Sequence, residues 1–133
     1  TQILGKNVEL LYLFSQNRLI GTAYKLDDNY LNSNHFLNTY KRFKTALTRK
    51  YGQPQNEDTT WTDNTFKNVS LKRGLALSLG HTEYLSKWET PQTMIKLSLK
   101  EENYYVLCLI EYWSKEYTYM PEETTKEDIL DPF

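Results

Sequence analysis

A helix predicted between Phe36 and Tyr51 constrains the fold more than any other feature of the sequence. Its large apolar residues are Phe36, Tyr40, Phe43, Leu47 and Tyr51, which recur at steps of three or four and therefore lie on one side of the helix. Burying each of them contributes about 1.5 to 3 kcal/mol, which is the scale needed to offset about 1 to 2 kcal/mol of backbone entropy per ordered residue. We therefore expect this stripe to face a core.

Both ends of this helix carry recognisable signals. Ser33 or Asn34 can cap its start by accepting hydrogen bonds from free backbone N–H groups. At the other end Arg49 suits the negative pole of the helix dipole, Gly52 can adopt the left-handed conformation, and Pro54 prevents the helix from resuming. The Tyr-Gly-x-Pro stretch is thus interpreted as a helix stop and not as a reactive loop.

Strands are predicted on both sides of the helix, from residues that pack well on pleated surfaces. Before it they cover residues 8–14 and 19–26, which are predicted to pair as a hairpin, with the end of an earlier strand pairing back near residue 8. After it they cover 74–80, 83–89, 93–100 and 103–113. The segment 103–113 is apolar on both faces, as a central strand would be, and forms a hairpin with 93–100. The predicted fold is α+β, with one long helix (about 35–51) packed on a curved antiparallel sheet of about six strands.

The chain of 133 residues fits one domain, placed at residues 1–120, while residues 62–72 have no predicted structure. Residues 121–133 are rich in acids and are predicted to be a tail, either mobile or laid over the surface. The chain opens on TQILGKN, without a Met or an apolar signal core, so we expect a processed or trimmed start. It contains no run of eighteen apolar residues, and no membrane span is predicted.

Eleven tyrosines are the unusual feature of the composition. Tyrosine suits half-buried strand positions, so a sheet with one wet face explains them, and an aromatic binding surface is the alternative. Cys108 is the only cysteine, which excludes an internal disulfide and a thiolate metal cage. Because it lies in an apolar run, it is expected to be buried and unreactive.

A search for catalytic patterns yields no candidate catalytic residues, metal ligands or cofactor. His35 and His81 are the only histidines, and His81 with Glu83 offers too few ligands for zinc. No Gly-x-Ser-x-Gly elbow, dinucleotide fingerprint or phosphate loop is present in the sequence. An enzyme of unknown type remains an alternative without support.

Residues 35–51 carry five cations and no acid. The candidate residues for binding an anion or a partner are Lys41, Arg42, Lys44 and Arg49. Helical geometry places Lys41, Arg42 and Arg49 on the side opposite the apolar stripe. Together with the tyrosines they leave nucleic-acid binding open as an alternative. The pI near 6.1 and the acidic end of the chain count against it.

Several segments together resemble a family of small uncharacterised bacterial proteins: LLYLFSQNRLIGTAYKL, LTRKYGQP with Trp61, GLALSLG, KWETPQTMIKLSL and NYYVLCLIEYWS. The resemblance spans nearly the whole chain, in a pattern of Tyr-x-Phe, Lys-Tyr-Gly-x-Pro and Trp-Glu-Thr. The family begins with a further Trp-Gly stretch and a short helix that this chain lacks. The resemblance implies no catalytic residues, and a location outside the cytoplasm, in the envelope, is favoured. We expect a non-enzymatic module that binds a protein partner through a sheet edge or an aromatic surface.

Overall fold

The structure, a computed structural model, describes residues 1–28, 30 and 32–116. In this part of the chain there are seven strands, two α-helices and one 3-10 turn. In order they are β1 (Gln2–Ile3), β2 (Lys6–Ser15), β3 (Arg18–Leu26), α1 (Asn34–Tyr51), β4 (Asn56–Trp61), the 3-10 turn (Ser70–Lys72), α2 (Arg73–Ser78), β5 (Thr82–Glu89), β6 (Thr93–Glu102) and β7 (Tyr105–Ser114). The acidic stretch 121–133 lies outside the described residues.

All seven strands form one antiparallel sheet in the order β1-β2-β3-β7-β6-β5-β4. The predicted α+β class and antiparallel sheet are confirmed, but the described residues form seven strands and two α-helices where about six strands and one helix were predicted. β7 occupies the middle of the sheet, as its apolar character on both faces predicted. β1 and β4 are edge strands, and β4 was not among the predicted strands.

Two tight hairpins fix the register of the sheet. β2 and β3 are joined by Gln16 and Asn17, with φ of 50° and 61°, and β6 and β7 by Asn103 and Tyr104, with φ of 52° and 70°. Two left-handed residues in succession are the signature of a type I′ turn, whose twist matches that of the flanking strands. Both predicted hairpins are therefore present.

Helix α1 buries the predicted aromatic stripe. Phe36, Tyr40, Phe43 and Leu47 are each 6% exposed or less, and Tyr51 packs half-buried at the edge of the same cluster. The helix contacts β5, β6 and β7, where the β6 residues Ile95, Leu97 and Leu99 are fully buried, while Lys96 and Lys100 on the other face are partly exposed. The stripe is interior surface, as predicted.

The ends of α1 follow the sequence signals in part. Ser33 occupies the N-cap position but its side chain makes no capping bond; instead the Asn32 side-chain oxygen accepts a hydrogen bond from the Asn34 N–H at 3.0 Å. At the other end the N–H of Gly52, with φ of 88°, donates to the Thr48 carbonyl at 2.8 Å. The Gly52 carbonyl accepts a bond from the buried Trp88 indole at 2.8 Å, which anchors the helix end to β5. The helix stop is confirmed.

The prediction of a strand at residues 74–80 is wrong, because this segment is helix α2. Its backbone hydrogen bonds are helical, since the Leu79 N–H donates to the Leu75 carbonyl, four residues earlier, at 3.0 Å. Gly80 has φ of 77°; its N–H bonds the Leu77 carbonyl and the His81 N–H bonds the Ala76 carbonyl, which together form a Schellman motif. The glycine that was interpreted as the end of a strand terminates a helix.

The segment 62–72, left without a prediction, is a run of turns that leads into α2. The Val69 N–H donates to the Phe66 carbonyl at 3.0 Å, which closes a single turn. Phe66 stacks on the His81 ring at 6.0 Å, whereas Val69 is exposed. Only one of the two side chains therefore contributes to packing.

Burial raises the pKa of Cys108 from 9.0 to about 12, and it raises the pKa values of Tyr40 and Tyr112 from 10.0 to about 12. Because these groups stay neutral in the folded state while the unfolded chain ionises, we expect the free energy of unfolding to be steady below pH 9 and to fall as the pH rises toward 12. The thiol alone accounts for a loss on the order of 4 kcal/mol at the upper end. Denaturant titrations across this pH range measure it.

The matched variant for this prediction is Cys108→Ala, which removes the thiol and keeps the tyrosines. Its stability is lower at neutral pH, but the fall should begin closer to pH 10, where unfolded tyrosine ionises. If both proteins lost stability along the same curve from pH 9, the buried neutral thiol would not be its cause.

Candidate functional site

The four predicted binding residues do not form one cluster. Lys41, Arg42 and Arg49 lie exposed on the outer side of α1 and line a shallow hollow of about 320 Å³. Lys41 also lines a second hollow of about 190 Å³, together with Lys44. Arg42 donates to the Leu4 carbonyl at 3.2 Å, and Lys44 pairs with Glu57. The structure thus divides these cations between two hollows and gives two of them partners within the chain.

The second hollow lies between α1 and the edge strand β4. Among the described residues, the lining of this groove comes from α1 and β4, with one residue each from α2 and β5. Its floor contains Leu37, Tyr40 and Tyr84, and cationic side chains reach it from α1 and from Arg73 at the start of α2. The groove therefore combines an apolar floor with charged walls, as binding clefts commonly do.

The Tyr40 hydroxyl fixes the floor of this groove. It forms a hydrogen bond of 2.7 Å with the buried Ser86 hydroxyl, and its ring lies 5.8 Å from that of Tyr84. Desolvation is the main reason why the pKa of Tyr40 rises to about 12, so the hydroxyl stays neutral at physiological pH. The floor is rigid and uncharged.

The outer edge of β4 faces outward with free backbone groups. The Thr62 N–H donates a hydrogen bond to the His81 carbonyl at 2.8 Å, just beyond the end of β4. In an antiparallel pair, residues whose backbone groups bond the partner strand alternate with residues whose backbone groups point away from it. This alternation directs the backbone of Glu57, Thr59 and Trp61 away from β5. Within the described part of the chain no hydrogen bond joins these three backbone segments to a group beyond the ladder. Residues 1–28, 30 and 32–116 therefore leave the outer edge uncovered along the whole of β4.

The ion pair between Lys44 and Glu57 crosses the groove. Both side chains are partly exposed, 33% and 48%, and exposed ion pairs contribute only about 0 to 1 kcal/mol. The pair therefore does not lock the groove. The walls of the groove carry three cations, which are Lys41, Lys44 and Arg73, and two anions, which are Glu57 and Asp58.

Other groups that sequence reasoning considered do not form a reactive site. His81 lies in the bend after Gly80, as a turn histidine, with Nε2 3.6 Å from an Asp63 carboxylate oxygen. Hydrogen bonds from the Thr65 hydroxyl and N–H lower the pKa of Asp63, so it is a carboxylate bound to its own turn. Cys108 is buried, as predicted. Among residues 1–28, 30 and 32–116 no group of three or more His, Cys, Asp and Glu side chains is placed to hold a metal.

Sequence reasoning missed β4, Arg73 and Tyr84. A signal for β4 existed, because Thr59, Thr60 and Trp61 are residue types that favour strands. No sequence signal brings Arg73 and Tyr84 to α1, since both are placed by the way α2 and β5 pack.

Comparison of the chain with protein-family models, with curated proteins and with solved structures finds no match. The resemblance to a bacterial family therefore stays a prediction. Neither helix in the described part of the chain has the length and apolarity needed to cross a bilayer.

Proposed function

We propose that this protein is a non-enzymatic binding module that takes up an extended segment of a protein partner at the edge of β4. The partner's backbone would add to β4 as a further strand, and its alternate side chains would enter the groove beside α1. The observation that carries this proposal is the open edge of β4 directly next to the groove floored by Tyr40 and Tyr84.

Strand addition suits this groove on dimensional and energetic grounds. An added strand would lie about 4.8 Å beyond β4 on the side away from β5, where none of the described strands pairs with it. Backbone hydrogen bonds to Glu57, Thr59 and Trp61 supply affinity that does not depend on the partner's sequence, whereas the groove selects side chains. The mixed walls favour side chains that are apolar with a polar end.

Selection from a displayed library of short random peptides tests the proposal, and the selected peptides are then measured with Thr59→Pro. Proline removes the outward N–H of Thr59, and an edge strand tolerates it because that N–H is not part of the ladder. One lost hydrogen bond that leaves a peptide carbonyl unpaired corresponds to a loss of affinity of about tenfold. Thr59→Ala keeps the N–H and should bind within about twofold of the parent.

Hydrogen exchange provides a second readout for the case in which Thr59→Pro fails to fold. Bound peptide should slow exchange at the amides of Glu57, Thr59 and Trp61. The proposal fails if the library yields no binder, if bound peptides leave these amides unchanged, or if single- or double-stranded nucleic acid binds at the cations of α1 instead, with an affinity that falls steeply with salt.

A further inference from the structure

The turn between β6 and β7 presents two tyrosines to solvent. Tyr104 is 97% exposed and Tyr105 is 71% exposed. Tyr104 stands at the second left-handed position of the turn, where glycine is the residue that fits without strain. Its ring packs against almost nothing within the described residues, so no contact among them explains a tyrosine at this position.

A hollow of about 630 Å³ lies beside these tyrosines, between the turn, the end of β3 and the start of α1. Its apolar lining comes from Leu26, Phe36 and Val106, and Tyr30 adds an aromatic ring. The Tyr30 hydroxyl is held by a 3.0 Å hydrogen bond to Thr39, which fixes the ring. The hollow is thus preformed and shares no lining residue with the groove at β4.

The rim of the hollow is acidic. Asp27, Asp28 and Glu102 line it together with Lys25, and Lys6 lies against the Tyr30 ring, which leaves an excess of one negative charge. Asp28 accepts a hydrogen bond from the Asn7 amide at 3.1 Å, so its carboxylate is positioned. The combination of carboxylates with exposed aromatic faces favours a cation.

A cation already lies against one of these rings. The Lys6 amino group is 5.4 Å from the centre of the Tyr30 ring, a distance at which the ring attracts positive charge. Guanidinium is better suited than ammonium to the other two rings, because it is planar, stacks on aromatic faces and also bonds carboxylates in a two-pronged geometry.

We propose that this hollow is a docking site for an arginine-bearing segment of a protein partner. The guanidinium groups stack on Tyr104 and Tyr105, and the carboxylates of Asp27 and Glu102 compensate their charge. The site is independent of strand addition at β4, because the two surfaces have no residue in common.

The probe is a peptide of alternating arginine and glycine. The control is the same peptide with uncharged citrulline in place of each arginine. At about 50 mM salt, where screening is weak, the arginine peptide should bind and the citrulline peptide should not. Tyr104→Gly should weaken binding by about fivefold, the scale of one exposed cation–π contact. The same change should raise the thermal midpoint, since glycine fits the left-handed position, so lost binding cannot be attributed to unfolding.

Asp27→Asn should also weaken binding and flatten its dependence on salt. Tyr12→Ala is the matched control, because Tyr12 is an exposed tyrosine on β2 outside this hollow, and it should bind the peptide as the parent does. Thr59→Pro at the other groove should leave the arginine peptide unaffected, so the two proposals fail separately. The inference is overturned if the arginine peptide does not bind at low salt, if citrulline binds equally well, or if Tyr104→Gly and Asp27→Asn both bind like the parent.

Discussion

Phe43→Ala is expected to lower the free energy of unfolding by about 3 to 5 kcal/mol. Phe43 is 2% exposed and belongs to the main core cluster between α1 and the sheet. The substitution removes buried apolar area and leaves a cavity that close-packed neighbours fill only in part. Denaturant titration followed by tryptophan fluorescence or circular dichroism measures the change.

Thr45→Ala is the matched control on the same helix. Thr45 is exposed on the outer side of α1, so its replacement should change stability by no more than about 0.5 kcal/mol. A cost for Phe43→Ala as small as that of Thr45→Ala would mean that the aromatic stripe of α1 does not face the core.

The second large effect is expected at Gly74, where the sign of the change is the test. Alanine in place of a helix-interior glycine normally stabilises by about 0.5 to 1 kcal/mol. Here a Cβ would collide with the backbone N–H and side-chain oxygen of Asn34 and with the Ser33 carbonyl carbon, and the Gly74 N–H donates to that same Asn34 oxygen at 2.8 Å. We therefore expect Gly74→Ala to destabilise by about 1 to 3 kcal/mol.

Leu75→Ala serves as the control for α2, because Leu75 is 41% exposed and its loss should cost clearly less than the change at Gly74. Thermal and denaturant unfolding of both variants give the comparison. If Gly74→Ala raised stability, as helix propensity alone dictates, then the close approach of α2 to the start of α1 would be incorrect.

The parts of the fold that the sequence predicts are those with a long, unambiguous period. Phe36, Tyr40, Phe43 and Leu47 repeat over about three helical turns, and no strand can place such residues on one face. In β6 the alternation of Ile95, Leu97 and Leu99 with polar residues is just as clear. These signals were sufficient to predict helix α1, the partly solvent-exposed face of β6 and the central strand β7.

Short elements cannot be assigned from sequence periodicity in the same way. Helix α2 has only six residues, and an apolar run of that length between glycines fits a strand as well as a helix. What decides it is the hydrogen bonding within α2 and the contact of Gly74 with Asn34, and the second of these is a tertiary contact that the local sequence does not show. β4 carries Glu57 and Asp58, and acidic residues argue against a strand in the sequence. Charged residues are nevertheless common on edge strands, where they prevent aggregation with other chains.

The candidate site was predictable only in part. The cationic side of α1 follows from helical geometry, and Lys41 and Lys44 do line the groove. The sequence does not indicate that Glu57 crosses from β4 to pair with Lys44, or that Tyr84 completes the floor, because these residues come from elements whose positions are set by the whole sheet.

The open edge of β4 is the claim on which the proposed function rests, and amide hydrogen exchange in the free protein tests it directly. The amides of Asp58 and Thr60 bond β5 and should exchange at least an order of magnitude more slowly than those of Glu57, Thr59 and Trp61. Alternating protection along the strand is the predicted result. Uniformly slow exchange at all five amides would mean that the edge is already covered and would contradict the account.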